Sequence, residues 1–385
     1  MPPNMTYQRG HRVHGKKPRH PLRDPCTTIS ELLCSVQRFW LWNLESGILD
    51  AAVRPRCALG SGSIALPWRD NSSRPWTRAA LVTVFLALCT AATLHAQTAN
   101  VSIPAWVETN DCPKPPKFEA ALNGKAVPVT AQIGPGSDQV ILVVLDLTGD
   151  LTLVDAAKQA LVAEVSKLTP NAWVGLLRTQ DGLHVLADPG ATRQPLIDAI
   201  HSLSNSNEPG LLETVQSALA LADGVMRKSP VRVSVLYITD GSIYSYREDY
   251  TNPVINESDP HDLSRRFPEA LINDKISKLL EASSSLEAPL FVVHLNYRRD
   301  RLNLAYQNGL ETLADATGGK CNVCRSLAEI PEAIAAMFAR ISSAWRLTLA
   351  LPTRIHYNIQ IHLSAPCGDG GLRISWRTRL RPKEG

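Results

Sequence analysis

A chain of 385 residues with 44% hydrophobic and 20% charged side chains has the balance of an ordinary globular protein and the length for two or three domains. Its net charge of +4 is unevenly placed: residues 1 to 78 hold twelve Lys/Arg against five Asp/Glu, which leaves −3 for the remainder. The basic excess therefore belongs to the leader, and the rest of the chain makes no electrostatic case for a nucleic-acid partner.

The first 78 residues carry Pro-rich basic patches such as Lys16, Lys17 and Arg19, and a short apolar piece from Ser30 to Ile48, without sustained periodicity. That composition predicts a disordered leader, or one that is not translated at all. Arg74 and Arg78 then precede an uncharged run, Ala79 to Leu94, that closes on His95-Ala96 before Gln97. A basic flank, a short apolar core and a small residue before the cut predict a secretory signal peptide over 79–96, with a secreted or periplasmic product and no membrane span in the mature form. Because such signals open a chain, the true start codon is expected downstream of Met1. The competing expectation is a single membrane anchor with the leader in the cytoplasm. Export would leave Cys112, Cys321, Cys324 and Cys367 in the mature chain, an even number in a disulfide-permissive compartment.

Residues 97–137 read as strand and turn. Phe118–Leu122 and Ala126–Gln132 flank Asn123-Gly124, a hairpin signal, and Pro135-Gly136-Ser137 marks a boundary. From 138 to 343 apolar strands alternate with periodic helices. Gln139–Leu145 is apolar enough to be buried on both faces of a parallel sheet, and Val231–Ile238 repeats the pattern. Trp173–Leu177 and Leu183–Ala187 pair around Asp181-Gly182; Pro289–Leu295 and a short piece near Lys320–Val323 complete the strands. Helices are expected at Leu151–Leu168, Arg193–Leu203, Leu211–Met226, Leu263–Leu280, Leu302–Thr317 and Ile330–Ser343. The predicted fold class is α/β, a doubly wound, mainly parallel sheet, with small β segments before it and after it at 344–385.

Both long strands end in acid. Asp146, Thr148 and Asp150 alternate after the first, and Thr239-Asp240-Gly241 follows the second, at the edge where open α/β sheets place ligands and where oxygen donors suit a hard cation. This arrangement resembles the von Willebrand factor type A (vWA) domain and its metal-ion-dependent adhesion site. In that family D-x-S-x-S follows the first strand, a threonine comes from a later loop, and an aspartate follows a further strand. Asp146 fits the first position, Thr148 stands where Ser is usual, Asp150 replaces the last Ser, and Asp240 fits the last motif. Counting back from Ala218-Leu219 puts Glu213 at the loop position, with Thr214 next. The flanking β segments resemble those of the bacterial vWA-related family of acidobacterial type.

The resemblance implies a binding module with weakly held Mg²⁺ or Mn²⁺ at Asp146, Thr148, Asp150, Glu213, Thr214 and Asp240, completed by a carboxylate from a protein partner. The plain alternative is that Asp150 only caps the next helix and that Asp240-Gly241 is only a turn. In a chain of this type Cys321-x-x-Cys324 falls at the last strand-to-helix turn, where a structural bridge is expected, leaving Cys112 and Cys367 as a second pair. Tyr244, Tyr246 and Tyr250 and four acids in the loop from Ser242 to His261 are expected to overhang the acidic edge. No nucleophile elbow, zinc-protease or nucleotide-binding motif occurs, so no enzyme is expected. The alternatives carried are a thiol-disulfide exchanger using Cys321 and Cys324, a metal hydrolase, and a metal-free structural or assembly domain.

Overall fold

The computed structural model describes residues 98–108, 115–204, 208–246, 269–352, 358–367 and 370–382. The expected leader and signal peptide, Cys112 and most of the Ser242–His261 loop lie outside the described residues. Among the described residues no helix is long and apolar enough to cross a membrane.

In chain order the strands are β1 Thr98–Val107, β2 Glu119–Leu122, β3 Lys125–Val127, β4 Val129–Ile133 and β5 Gln139–Asp146, followed by helix α1 Leu151–Lys167. Next come β6 Ala172–Arg178, β7 His184–Ala187, α2 Arg193–Ser202, α3 Leu211–Lys228 and β8 Arg232–Thr239. After these stand α4 Glu269–Ser283, β9 Leu290–His294, α5 Arg301–Thr317, β10 Lys320–Val323 and α6 Ile330–Ser342. The chain closes with β11 Trp345–Pro352, β12 Ile359–Ser364, β13 Pro366–Cys367, β14 Gly370–Gly371, β15 Ile374–Trp376 and β16 Arg379–Leu380.

The central sheet runs β10-β9-β8-β5-β6-β7, all parallel except the edge strand β7. Numbered within the sheet, this is the doubly wound order 3-2-1-4-5-6, with its switch point between β5 and β8. Period-two alternation divides the β5 side chains between two cores. Val140, Leu142 and Val144 meet α3, α4 and α5, whereas Ile141, Val143 and Leu145 meet α1, α2 and α6. Every residue of β5 and of β8 is buried, as a strand covered on both faces must be.

The flanking segments pair with each other. Sheets β15-β1-β11-β4 and β16-β12-β2-β3 enclose a shared apolar core that includes Ile103, Leu349, Leu122 and Ile361. Asn123 and Gly124, at φ 48° and 81°, make the left-handed turn joining β2 to β3. Pro128, which has no amide hydrogen, separates β3 from β4, so the expected Ala126–Gln132 strand is two.

Three arginines donate to the carbonyls at helix ends: half-buried Arg346 and buried Arg377 join the sandwich to the central unit, and buried Arg232 acts within the central unit. Arg346 on β11 donates to the carbonyls of Met226, Ser229 and Val231 at the end of α3. Arg377 donates to those of Ser283, Ser284 and Leu286 at the end of α4. Arg232 at the start of β8 donates to Ile341, Ser342 and Ala344 at the end of α6.

The bridge expected between Cys321 and Cys324 is absent, since both are free thiols. Strand geometry explains this. Residues three apart on an extended chain point to opposite faces, and Cys321 packs with the α3–α5 core while Cys324 is buried in the α1–α2–α6 core. Cys367 is disulfide-bonded.

Candidate functional site

Register brings the acidic edge together. Pairing β5 to β8 sets Asp146 opposite Thr239, and pairing β5 to β6 sets Leu145 opposite Arg178, so that Thr179 comes up beside Asp146. The Asp146 carboxylate, only 1% exposed, accepts three hydrogen bonds. Thr179 Oγ1 and the Gly210 amide donate to Oδ1, both at 2.7 Å, and Thr239 Oγ1 donates to Oδ2 at 2.8 Å. Burial pushes the Asp146 carboxyl up from its ordinary range; these three donors oppose the shift and the nearby charge of Asp240 adds to it.

Asp240 is buried too, and it holds the turn that leaves β5. Its Oδ1 accepts from the Thr148 amide at 2.5 Å and from Thr148 Oγ1 at 2.8 Å. Its Oδ2 accepts from the amides of Gly149 and Asp150, both at 3.2 Å. The turn needs Gly149, whose φ of 148° a side chain would rarely adopt. Behind the edge, His294 Nε2 contacts the Gly241 carbonyl at 2.9 Å and Nδ1 accepts from the Asn296 amide, which sets a neutral ring with its proton on Nε2. Burial lowers this histidine to about 4.

Of the six residues expected to hold a cation, the structure brings three to one edge: Thr148 hydrogen-bonds to Asp240, and Asp146 stands near Asp240 with its own three donors. Asp150 is exposed and caps α1, its Oδ1 accepting from the Thr152 and Leu153 amides at 3.2 and 3.5 Å. Glu213 sits in the first turn of α3 with Lys275 Nζ 3.9 Å away. Thr214 faces inward, its hydroxyl 2.6 Å from the Gly210 carbonyl and 2.8 Å from Tyr237 Oη.

The loop position that meets Asp146 is Gly210, not Glu213 or Thr214. It contributes an amide because it has no side chain, and it cannot carry one cheaply. A Cβ there would lie 2.6 Å from the Thr179 carbonyl oxygen and 2.7 Å from its Cβ. Thr179 thus fills the space a loop hydroxyl would need and supplies the hydroxyl itself.

Those donors decide how well the residues suit a metal. An ionised carboxylate pair offers about eight lone-pair directions, and seven protein donors already point at them. Hard cations want about six oxygens, and the carboxylates left over are Asp150, which caps a helix, and Glu213, beside Lys275. Among the described residues no three His, Cys, Asp or Glu side chains stand where one ion could bind them. The two carboxylates do not fit direct coordination of the cation expected of them.

Beside this edge opens a cleft of about 350 Å³ whose lining includes Gln180, Asp181, Glu208, Pro209 and Glu213. Leu151, 66% exposed, stands directly after the Asp150 cap, and Tyr244, 54% exposed, follows Asp240 closely and donates to Asp300. Tyr246, expected to overhang the acidic edge, is instead buried, accepting from the Leu212 amide and lying 3.3 Å from Tyr306 Oη.

No protein-family model and no curated protein matches the chain. Solved structures that resemble it include a von Willebrand factor type A protein from Catenulispora acidiphila, at 14% identity over 72% of this chain and 76% of that one, TM-score 0.38. The vWF domain of the type V pili tip protein Mfa5 from Porphyromonas gingivalis gives 14% identity over 54% and 96%, TM-score 0.37. Proximal thread matrix protein 1 from the mussel byssus, with a zinc-occupied MIDAS motif, gives 11% over 57% and 48%, TM-score 0.35. The fold assignment rests on the strand order and register of this chain itself.

Sequence reasoning missed Thr179, Gly210 and Thr239 as parts of the site. Thr239 stood inside the Thr239-Asp240-Gly241 motif, and Thr179 follows a predicted strand, so strand-end position was the available signal for both.

Proposed function

We propose that this chain is an exported binding module of vWA type, of the bacterial vWA-related kind, that recognises a protein partner at the carboxyl edge of its central sheet. The observation that carries this is the meeting of Asp146 and Asp240 at the switch point, next to an open cleft and flanked by exposed Leu151 and Tyr244. Asp181, Glu208 and Glu213 on the cleft favour a partner segment that is basic rather than acidic. The chemistry is recognition, with no bond broken.

Mg²⁺- or Mn²⁺-dependent adhesion is the less favoured form of the same proposal, because its two carboxylate ligands already accept seven hydrogen bonds. Thiol-disulfide exchange has weaker support still. Cys321 and Cys324 lie on opposite sides of the sheet, and burial pushes their thiols up to about 12 and about 11, away from the reactive thiolate.

The test is retention of native-host exported proteins on the immobilised full chain, measured quantitatively for wild type, Leu151→Ala, Tyr244→Ala and the remote control Leu327→Ala. A partner retained by wild type and the control but reduced about tenfold by both edge variants supports the module. Retention that the edge variants leave unchanged would reject it.

A further inference from the structure

The disagreement between the acidic edge and its expected cation has a structural cause. Asp146 and Asp240 are both nearly inaccessible, at 1% and 4% exposure, and no basic side chain pairs with either among the described residues. Two buried carboxylates in such a place need compensation. It comes from three hydroxyls, Thr148, Thr179 and Thr239, and four amides, Thr148, Gly149, Asp150 and Gly210.

Every lone-pair direction of Asp240 is used. A hard cation approaching those oxygens at its usual 2.0–2.6 Å would meet N–H and O–H hydrogens and have to expel them. One direction remains on Asp146 Oδ2, in a carboxylate that is only 1% exposed. A Cβ built on Gly241 would be 3.6 Å from that oxygen and only 2.9 Å from the Pro209 Cβ, so the space beside the carboxylate is narrow. Thr179 fills the flank against Gly210.

We infer that Thr179, Gly210 and the 148–150 turn form a built-in latch that does for this edge what a divalent cation does in a metal-loaded one, so that the edge is ordered, and binds its partner, without a cation. The inference rests on the binding-module proposal for the partner and on hydrogen bonding alone for the latch. By fixing the 148–150 turn, Asp240 also fixes the start of α1. Exposed Leu151, the first residue of α1, is thereby preset at the acidic edge instead of being ordered by an ion.

Thermal melts of the full chain in chelator and in 10 mM-scale MgCl₂ or MnCl₂, with calorimetric titration of the same ions, test this for wild type, Asp146→Asn and Thr179→Val. A cation held with about 1 mM affinity would raise the midpoint by roughly 3–5 °C under these conditions. The latch predicts no ion-dependent shift for wild type and none for the variants. Thr179→Val lowers the midpoint by the same amount with and without ion. A wild-type shift that Asp146→Asn abolishes would overturn the inference, whereas one that survives Asp146→Asn belongs to another site and leaves the latch standing. Failure here is separable from failure of the module. An ion-dependent shift with partner loss in the Leu151 and Tyr244 variants removes the latch alone, and no shift with unchanged retention removes the module alone.

Discussion

The two edges of the central sheet solve opposite electrostatic problems. A parallel sheet with crossover helices collects helix N-termini at the strands' carboxyl edge and helix C-termini at the other, so one edge presents amides and the other carbonyls. The chain places acid at the first and arginine at the second. Asp150 caps α1, and Asp146 takes the amide that opens α3. Arg346, Arg377 and Arg232 each close the C-terminal end of a helix, α3, α4 and α6. Backbone dipoles therefore compensate buried charge at both ends, with hydroxyls adding to them at the acidic one. What differs is the cover. The arginine edge lies under the sandwich, and the acidic edge faces a cleft, which is why we propose recognition at the acidic one.

The largest effect should come from the covered edge. Arg377→Ala leaves several buried carbonyls without a donor and should cost about 3–5 kcal/mol in urea unfolding. A cost below about 1 kcal/mol would mean that the helix ends are satisfied without the arginine and that the symmetry between edges is false.

Acid should act on the open edge. His294 titrates near 6.5 when unfolded and at about 4 when folded, held down first by burial and by Arg298 against the pull of Gly241 and Asp240. A depressed histidine stabilises fully above its unfolded value, and that stability is lost as pH falls from about 6.5 to about 4. At about 1.4 kcal/mol per unit the loss approaches 3 kcal/mol. It is measured as the difference in urea stability between wild type and His294→Gln across that window; a pH-independent difference would contradict it.

Thr179→Val removes one hydroxyl from a buried carboxylate and should cost about 2 kcal/mol, by the same denaturation measurement. Asp150→Ala removes only an exposed cap. Its expected cost is about 1 kcal/mol, equal in chelator and in Mg²⁺, and an Mg²⁺-dependent cost would return Asp150 to the role of ligand.

The sheet was legible because β5 and β8 are unbroken apolar runs that end in acid, a pattern set by local sequence. Strand ends differed by a residue or two, as at Gln139–Asp146 against the expected Gln139–Leu145. Thr179 and Gly210 were not legible as site residues. Their meeting with Asp146 depends on the β5–β6 register and on the close approach of Gly210 to Thr179, neither of which is a local property of the chain. Glu213 and Thr214 were misplaced for a related reason. Counting along a helix gives spacing, but the residue that meets Asp146 is the one before the helix begins. The Cys321–Cys324 bridge was expected from the pair's place at the last strand-to-helix turn in a chain of this type, but extended β10 and the turn after it send the two sulfurs into opposite cores.

The most direct test is to read the latch amides themselves. In ¹⁵N spectra and hydrogen exchange of the full chain, the amides of Thr148, Gly149, Asp150 and Gly210 should be protected from exchange in chelator, with shifts and protection unchanged by Mg²⁺. Amides that exchange freely in chelator and become protected only when Mg²⁺ is added would show that a cation, not the protein's own donors, holds the acidic edge.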